Sequence, residues 1–241
     1  RKLNAPLACR MTAERCQCVL SRWPPARELS PKGLERWVQD WRSNSYARGN
    51  VLFYQGNEPL GAYFVCSGAV KLVRADGTGR KQIVRVIHGP ELLGERALVA
   101  GQPYEATAEV VEDAHVSFLD AERFRALWDY EPGIPKMIAR RLAERLGQAQ
   151  KSLAEMGLRT IRERLSRLIA RAHANAPMTV VTLGGSRQEL AEMLGTSPEV
   201  VCRALAELER RGLIAVDGRN VRVLEDARLR LAAGLPKLGQ K

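Results

Sequence analysis

The residues best suited to chemistry are cysteines. The stretch "PLACRMTAERCQCVLSRWPP" carries Cys9, Cys16 and Cys18, and Cys66 stands apart in "YFVCSG". Thiolates are soft, anionic and oxidisable, so they suit iron–sulfur clusters and disulfide exchange alike. Arg10, Arg15 and Arg22 surround the leading three with positive charge, which favours the thiolate form. The spacing Cys-x6-Cys-x-Cys is irregular for a metal site. Three readings stay open: a cluster on Cys9, Cys16, Cys18 and Cys66, a thiol–disulfide or zinc-type sensor using some of them, and no chemistry at all. Free cysteines are often buried hydrophobes, but a flexible, arginine-rich lead offers little to bury them in. The three histidines, His88, His115 and His173, have no partner at ligand spacing, so haem is not expected.

A second constellation lies near the other end, in "SRQELAEMLGTSPEVVCRALAEL". Ser186 and Glu189 make the S-x-x-E capping box of a first helix. Gly195 can take the left-handed conformation that closes it. Ser197 caps a second helix with Pro198 in its first position. Leu190, Leu194, Val201, Leu205 and Leu208 supply a shared core. Glu199, Cys202, Arg203 and Ala206 fall on the opposite face of the second helix. A groove-facing Glu accepts from cytosine N4, and Arg forks onto guanine O6 and N7. This is the pattern of a helix-turn-helix, with a hairpin wing around Asp217-Gly218 behind it.

Other elements must position these groups. The chain has 241 residues, 45% apolar, enough for two compact domains. A net charge of +11 points to a polyanionic partner, nucleic acid first. That excess is uneven. Residues 133–175 hold ten Lys/Arg against three acids, whereas residues 184–226 hold six Arg against eight acids. Affinity of the reading head must therefore come from a few placed arginines, doubled by dimerisation. No apolar run approaches ~18 residues and no apolar leader is visible, so a cytoplasmic, membrane-free protein is expected.

Four zones separate by pattern: a cysteine-bearing lead (1–22), a strand-rich sensor domain (23–130), a long helix with its connector (131–174) and a compact DNA-binding end with its tail (175–241). Ser30-Pro31 opens a helix that sets Trp37 and Trp41 on one face. From Val51 to Leu119, short β-branched and aromatic runs punctuated by glycine argue for a small antiparallel barrel or roll, with a hairpin at Asp76-Gly77. Ile138, Leu142, Leu146, Ala149, Leu153 and Met156 then form a heptad-like seam over 134–156, whose simplest partner is the same helix of a second copy. The fold class is α+β.

In this order the parts resemble the Crp/Fnr family of bacterial transcription regulators, closer to its Fnr-like branch than to the cyclic-AMP receptors. The resemblance covers residues 30–225 and rests on "GAYFVCSGAVKL", "HGPELLGERAL" and "RQELAEMLGTSPEVVCRALAELERRGLI". It implies a cupin-like β-roll, a dimerisation helix and a winged helix-turn-helix that reads a two-fold symmetric site as a homodimer. RNA polymerase is a further partner it implies. The family's recognition pattern falls on Glu199, Cys202 and Arg203 and implies half-sites with a TGA core. Cys202 stands where Fnr-type proteins carry Ser and cyclic-AMP receptors Gly. Ser186, Arg187, Gln188, Ser197 and the wing's Arg219 belong to the same DNA-binding set, Arg187, Gln188 and Arg219 at phosphate-contact positions.

The family's nucleotide pocket keeps its Gly-Glu here at Gly94 and Glu95. Its phosphate-binding Arg-Ser is replaced by Glu105-Ala106, and a carboxylate repels a cyclic phosphate, so cyclic AMP is not expected. Fnr-type sensors hold a four-iron cluster on three leading cysteines and a fourth in the roll. The position of that fourth ligand is Ser117 here, with Cys66 on another strand. Two alternatives remain: a roll gated by a small non-nucleotide ligand, and, in another class, an Fe–S electron carrier.

Overall fold

The computed structural model describes residues 13–175, 180–182 and 186–235, without the side chains of 13–15, 175 and 180–182. Two compact units emerge, one of residues 1–79 with 84–146 and one of residues 80–83 with 147–241. The boundary cuts the long helix between Leu146 and Gly147 instead of setting that helix apart as a zone of its own.

The first unit opens with α1 (Ala13–Arg22), a 3-10 turn (Pro24–Glu28) and α2 (Pro31–Gln39). Strands β1 (Arg42–Tyr46), β2 (Val51–Phe53), β3 (Gly61–Ala75), β4 (Lys81–His88) and β5 (Glu91–Leu93) follow. Then come α3 (Glu95–Ala100), β6 (Thr107–Asp120), α4 (Ala121–Tyr130) and α5 (Gly133–Leu158). The strand order is β1-β6-β3-β4, with β2 on β6 and β5 on β3. β6 pairs antiparallel with β1, β2 and β3, and the glycine-punctuated runs from Val51 onward predict that arrangement for β2, β3 and β6.

Both faces of the sheet are covered, which is why "GAYFVC" reads as a continuous apolar run. Phe64 and Cys66 point to a core shared with Trp23, Trp37, Trp41, Phe124, Ile134 and Ile138. Tyr63 and Val65 point to a second core with Phe53, Tyr104 and Val116. Between these runs β3 bulges at Gly68, where φ is +83° and a Cβ would meet the Asp113 carbonyl oxygen at 2.3 Å.

Ser30 caps α2 by accepting from the Gly33 N–H at 3.0 Å. The helix stops at Gln39, yet Trp37 and Trp41 still meet edge-to-face at 5.1 Å. β1, "RSNSY", was not foreseen: a polar edge strand carries no apolar alternation. The lead was expected to be flexible. Instead its α1 packs on the roll, with Cys16 and Leu20 fully buried.

The second unit contains the rest of α5, α6 (Ile161–Asn175), β7 (Val180–Thr182), α7 (Arg187–Leu194), α8 (Pro198–Arg210), β8 (Ile214–Asp217), β9 (Asn220–Val223) and α9 (Asp226–Ala232). Its sheet runs β7-β9-β8. A box between Thr160 and Glu163 opens α6, with Thr160 N–H donating to the Glu163 carboxylate at 2.8 Å. Pro177, expected to end that helix, lies outside the described residues.

The seam of α5 does not behave as one surface. Ile134, Met137 and Ile138 are buried in the chain's own roll, so they are unavailable to a second copy. Leu146 and Leu153 are 60% and 70% exposed. Of the seam expected over 134–156, the apolar residues left exposed are therefore those from Leu146 onward, because the roll already covers the first turns.

Candidate nucleic-acid interface and sensor sites

In the second unit the capping box closes as the sequence predicts. Ser186 Oγ accepts from the Glu189 N–H at 3.1 Å, and the Ser186 N–H donates to the Glu189 carboxylate at 3.0 Å. Gly195 ends α7 at φ +59°. Leu190, Leu194, Val201, Leu205 and Leu208 are all buried in one core. This anchoring leaves Glu199, Cys202, Arg203 and Ala206 as an exposed stripe along α8. Ser197 precedes α8, and its hydroxyl, aided by the Glu199 backbone, holds the Glu199 carboxyl below the usual carboxylate range. Glu199 is therefore a pure acceptor at neutral pH.

Two positions expected to meet phosphates also have internal partners. Arg187 donates to the Gly218 carbonyl at 2.7 Å, tying α7 to the wing turn. Gln188 bonds Glu192 at 3.1 Å. Arg219 is exposed at the tip of the β8–β9 hairpin.

Six of the ten cations in the basic run over 133–175 have carboxylate partners within the chain. Arg140 pairs with Glu28, Arg162 with Glu207 at 2.5 Å, and Arg167 and Arg171 with Glu155 at 3.2 and 3.3 Å. Arg141 and Arg145 turn onto the roll. Glu91 is gripped by Arg85 at 2.9 Å, by Arg145 at 3.0 Å and by Arg141, and Arg145 also reaches Glu95 at 2.5 Å. No motif marks this cluster. Its only sequence signal was that arginines flank an apolar seam.

Burial pushes the Glu91 carboxyl up, but the Arg141 guanidinium first, then Arg145 and Arg85, outweigh it and hold the group below its ordinary value. Glu95 is fully buried, and desolvation raises it instead. A depressed folded-state carboxylate contributes stability that is full above its unfolded value, about 4.3, and is lost as pH falls below that. Glu91→Gln therefore flattens the acid limb of the stability curve, while neutral-pH stability falls because Arg85 and Arg141 lose their counter-charge and Arg145 keeps only Glu95. Urea titrations between pH 3 and 7 measure both effects.

The three expected effector residues, Gly94, Glu95 and Glu105, lie between β5 and β6. Gly94, at φ +83°, caps α3. Glu105 is half exposed and pairs with Arg96 at 2.8 Å. The Arg96 cation is thus already engaged by a carboxylate at the position where the resemblance implies a phosphate-binding Arg.

Among the cysteines, Cys9 lies outside the described residues. Cys16 and Cys18 are two apart on α1 and face opposite ways: Cys16 is 1% exposed, Cys18 lies on the surface. Cys66 is buried beside Cys16 in the same core. Among the described residues, no group of three or more Cys, His, Asp or Glu could hold a metal. Cys16 and Cys66 thus share the core, while Cys18 faces away from them.

The structure does join two sulfurs that the sequence keeps apart. β3 and β6 are neighbours, so Cys66 Sγ sits 3.4 Å from Ser117 Oγ, which is 2.7 Å from Ser43 Oγ on β1. A hydrogen bond from Cys66, then those from Ser43 and Ser117, hold the Cys16 thiol below its ordinary value against the opposing effect of burial. Cys66 is driven up by its hydrogen bond with Cys16 and by burial. His115 is outside this set of hydroxyls and bonds Ser45 at 3.0 Å.

Comparison with known proteins agrees with this architecture. Residues 43–131 match the cyclic nucleotide-binding domain and residues 140–232 the Crp-like helix-turn-helix domain. The chain is 31% identical over 212 residues to the cyclic AMP receptor protein of Thermus thermophilus, covering 86% of this chain and 95% of that one. It is 28% identical to the transcriptional activator protein anr of Pseudomonas aeruginosa, over 80% of this chain and 81% of that protein. The c-di-GMP responsive global regulator CLP of Xanthomonas campestris superposes with a TM-score of 0.71 at 22% identity, covering 80% and 99% of the two chains. No described helix is long and apolar enough to cross a membrane.

Proposed function

The chain belongs to the Crp/Fnr family of transcription regulators and binds DNA through its helix-turn-helix, and from that premise we propose that it acts as a homodimer on a palindromic site with TGA-core half-sites, under redox control through its cysteines. The observation that carries the DNA reading is the two-sided α8. Its inner face is locked by Val201, Leu205 and Leu208, so Glu199 and Arg203 project together from a rigid rod. Rigid placement matters because a bidentate Arg–guanine pair is directional. The exposed Leu146, Leu153 and Met156 give two copies an apolar seam to share.

Thiol redox control is supported by the burial of Cys16 and Cys66 in one core, where Cys66 meets a chain of two serine hydroxyls. A cyclic-nucleotide signal is disfavoured by the carboxylate of Glu105, which already holds Arg96.

The test is fluorescence anisotropy on a duplex with two inverted TGA half-sites, using reduced protein. Arg187 and Arg219 in each of two protomers neutralise four phosphates, giving a log–log salt slope of roughly −4. Adding cyclic AMP leaves the titration unchanged. A salt-independent, weak signal, equal on scrambled DNA, sinks the reading.

A further inference from the structure

We propose that Cys16 and Cys66 form a reversible disulfide within one chain, which pins α1 to β3 when a peroxide is the oxidant. The inference rests on the redox-controlled reading above and identifies the pair that carries it.

Three observations converge. The two thiols come from elements fifty residues apart, yet both are buried in one core, 1% and 5% exposed. The surroundings of Cys66 are not wholly apolar. Ser117 is fully buried, touches Cys66 Sγ at 3.4 Å and bonds Ser43 at 2.7 Å, so three strands bring hydroxyls or sulfur to one point. Hydroxyls there can donate to a thiolate, the reactive form of cysteine. Finally, Cys18 is exposed on the far side of α1, so among the described cysteines of this unit Cys66 is the one placed to resolve.

The step balances as follows. The Cys16 thiolate attacks one peroxide oxygen; the O–O bond breaks, an S–O bond forms, and hydroxide leaves and takes up a proton to become water. The Cys66 sulfur then attacks the resulting sulfenic sulfur. An S–S bond forms, the S–O bond breaks, and hydroxide departs with the Cys66 proton as a second water. The two sulfurs supply two electrons and the peroxide accepts them. A small dithiol reverses the bond by exchange.

The experiment treats full-length reduced protein with hydrogen peroxide, blocks remaining thiols and maps linked peptides by mass spectrometry. The expected result is a Cys16–Cys66 peptide pair within one chain, absent in Cys16→Ser and in Cys66→Ala, kept in Cys18→Ser, and abolished by dithiothreitol. Operator affinity of the linked and reduced forms should differ by about five-fold or more, with no difference in Cys16→Ser. Linkage through Cys9, Cys18 or a second chain overturns the assignment, and so does a complete Cys16–Cys66 linkage that leaves affinity unchanged. The mapping uses wild-type protein, so a variant that folds poorly does not remove the test. Failure of the reduced protein to prefer the operator counts instead against the DNA-site reading, and the peptide map still decides the pair.

Discussion

Replacing Arg203 with alanine lowers the preference for the two-fold TGA operator over scrambled DNA by at least roughly thirty-fold. Each bidentate Arg–guanine contact is worth about 1–3 kcal/mol of discrimination. Two half-sites double that to about 2–6 kcal/mol, and contributions at separated positions add. The fold should be unaffected, because Arg203 is exposed and the packing of α8 rests on Val201, Leu205 and Leu208. Binding to scrambled DNA should persist, since it depends on phosphate contacts. Competition anisotropy on operator and scrambled duplexes separates the two quantities. Equal losses on both would mean that Arg203 touches only phosphate, and the assignment of the α8 stripe to the groove would then be wrong.

The second large effect comes from α5. Changing Leu146 and Leu153 together to glutamate should convert the proposed dimer to monomer and weaken operator binding by about 10²–10⁴, the usual gain from linking two binding modules. Both side chains are exposed in the single chain, so carboxylates there cost its folding little. The same change at Ile134 or Ile138 would instead unfold the roll, since both are fully buried in its core. Sedimentation velocity with circular dichroism distinguishes a folded monomer from an unfolded chain. A double variant that stays dimeric would place the interface elsewhere.

The reading head was legible in the sequence because its determinants are local. A capping box spans four residues, a left-handed glycine is a property of one position, and a helix face repeats every three or four residues. Those rules placed Ser186, Gly195 and the exposed Glu199–Arg203 stripe correctly, whereas Ser197 holds the N-cap position without a side-chain capping hydrogen bond. The same applies to the Ser30-Pro31 start and to the glycine-punctuated strands. The polar edge strand β1 and the helix α1 left no such trace, since one has no apolar alternation and the other is held by tertiary packing.

By itself, the sequence determined a strand-rich roll, a long helix and a winged helix-turn-helix in that order, with the residues that face outward from α8. Only the tertiary structure decided which of the chemically capable groups meet. Cys66 and Ser117 are fifty-one residues apart and look unrelated until β3 pairs with β6. Cys16 looked like an exposed thiol in a flexible lead until α1 docked and buried it, while Cys18, two residues on, was turned to solvent. Likewise, Arg141 and Arg145 counted as basic charge for a polyanion until Glu91 and Glu95 engaged them. The physical reason is common to all three. Helix periodicity and turn chemistry act within a few residues, whereas burial, ion pairing and sulfur–sulfur proximity depend on strand register and helix docking, which bring distant residues together.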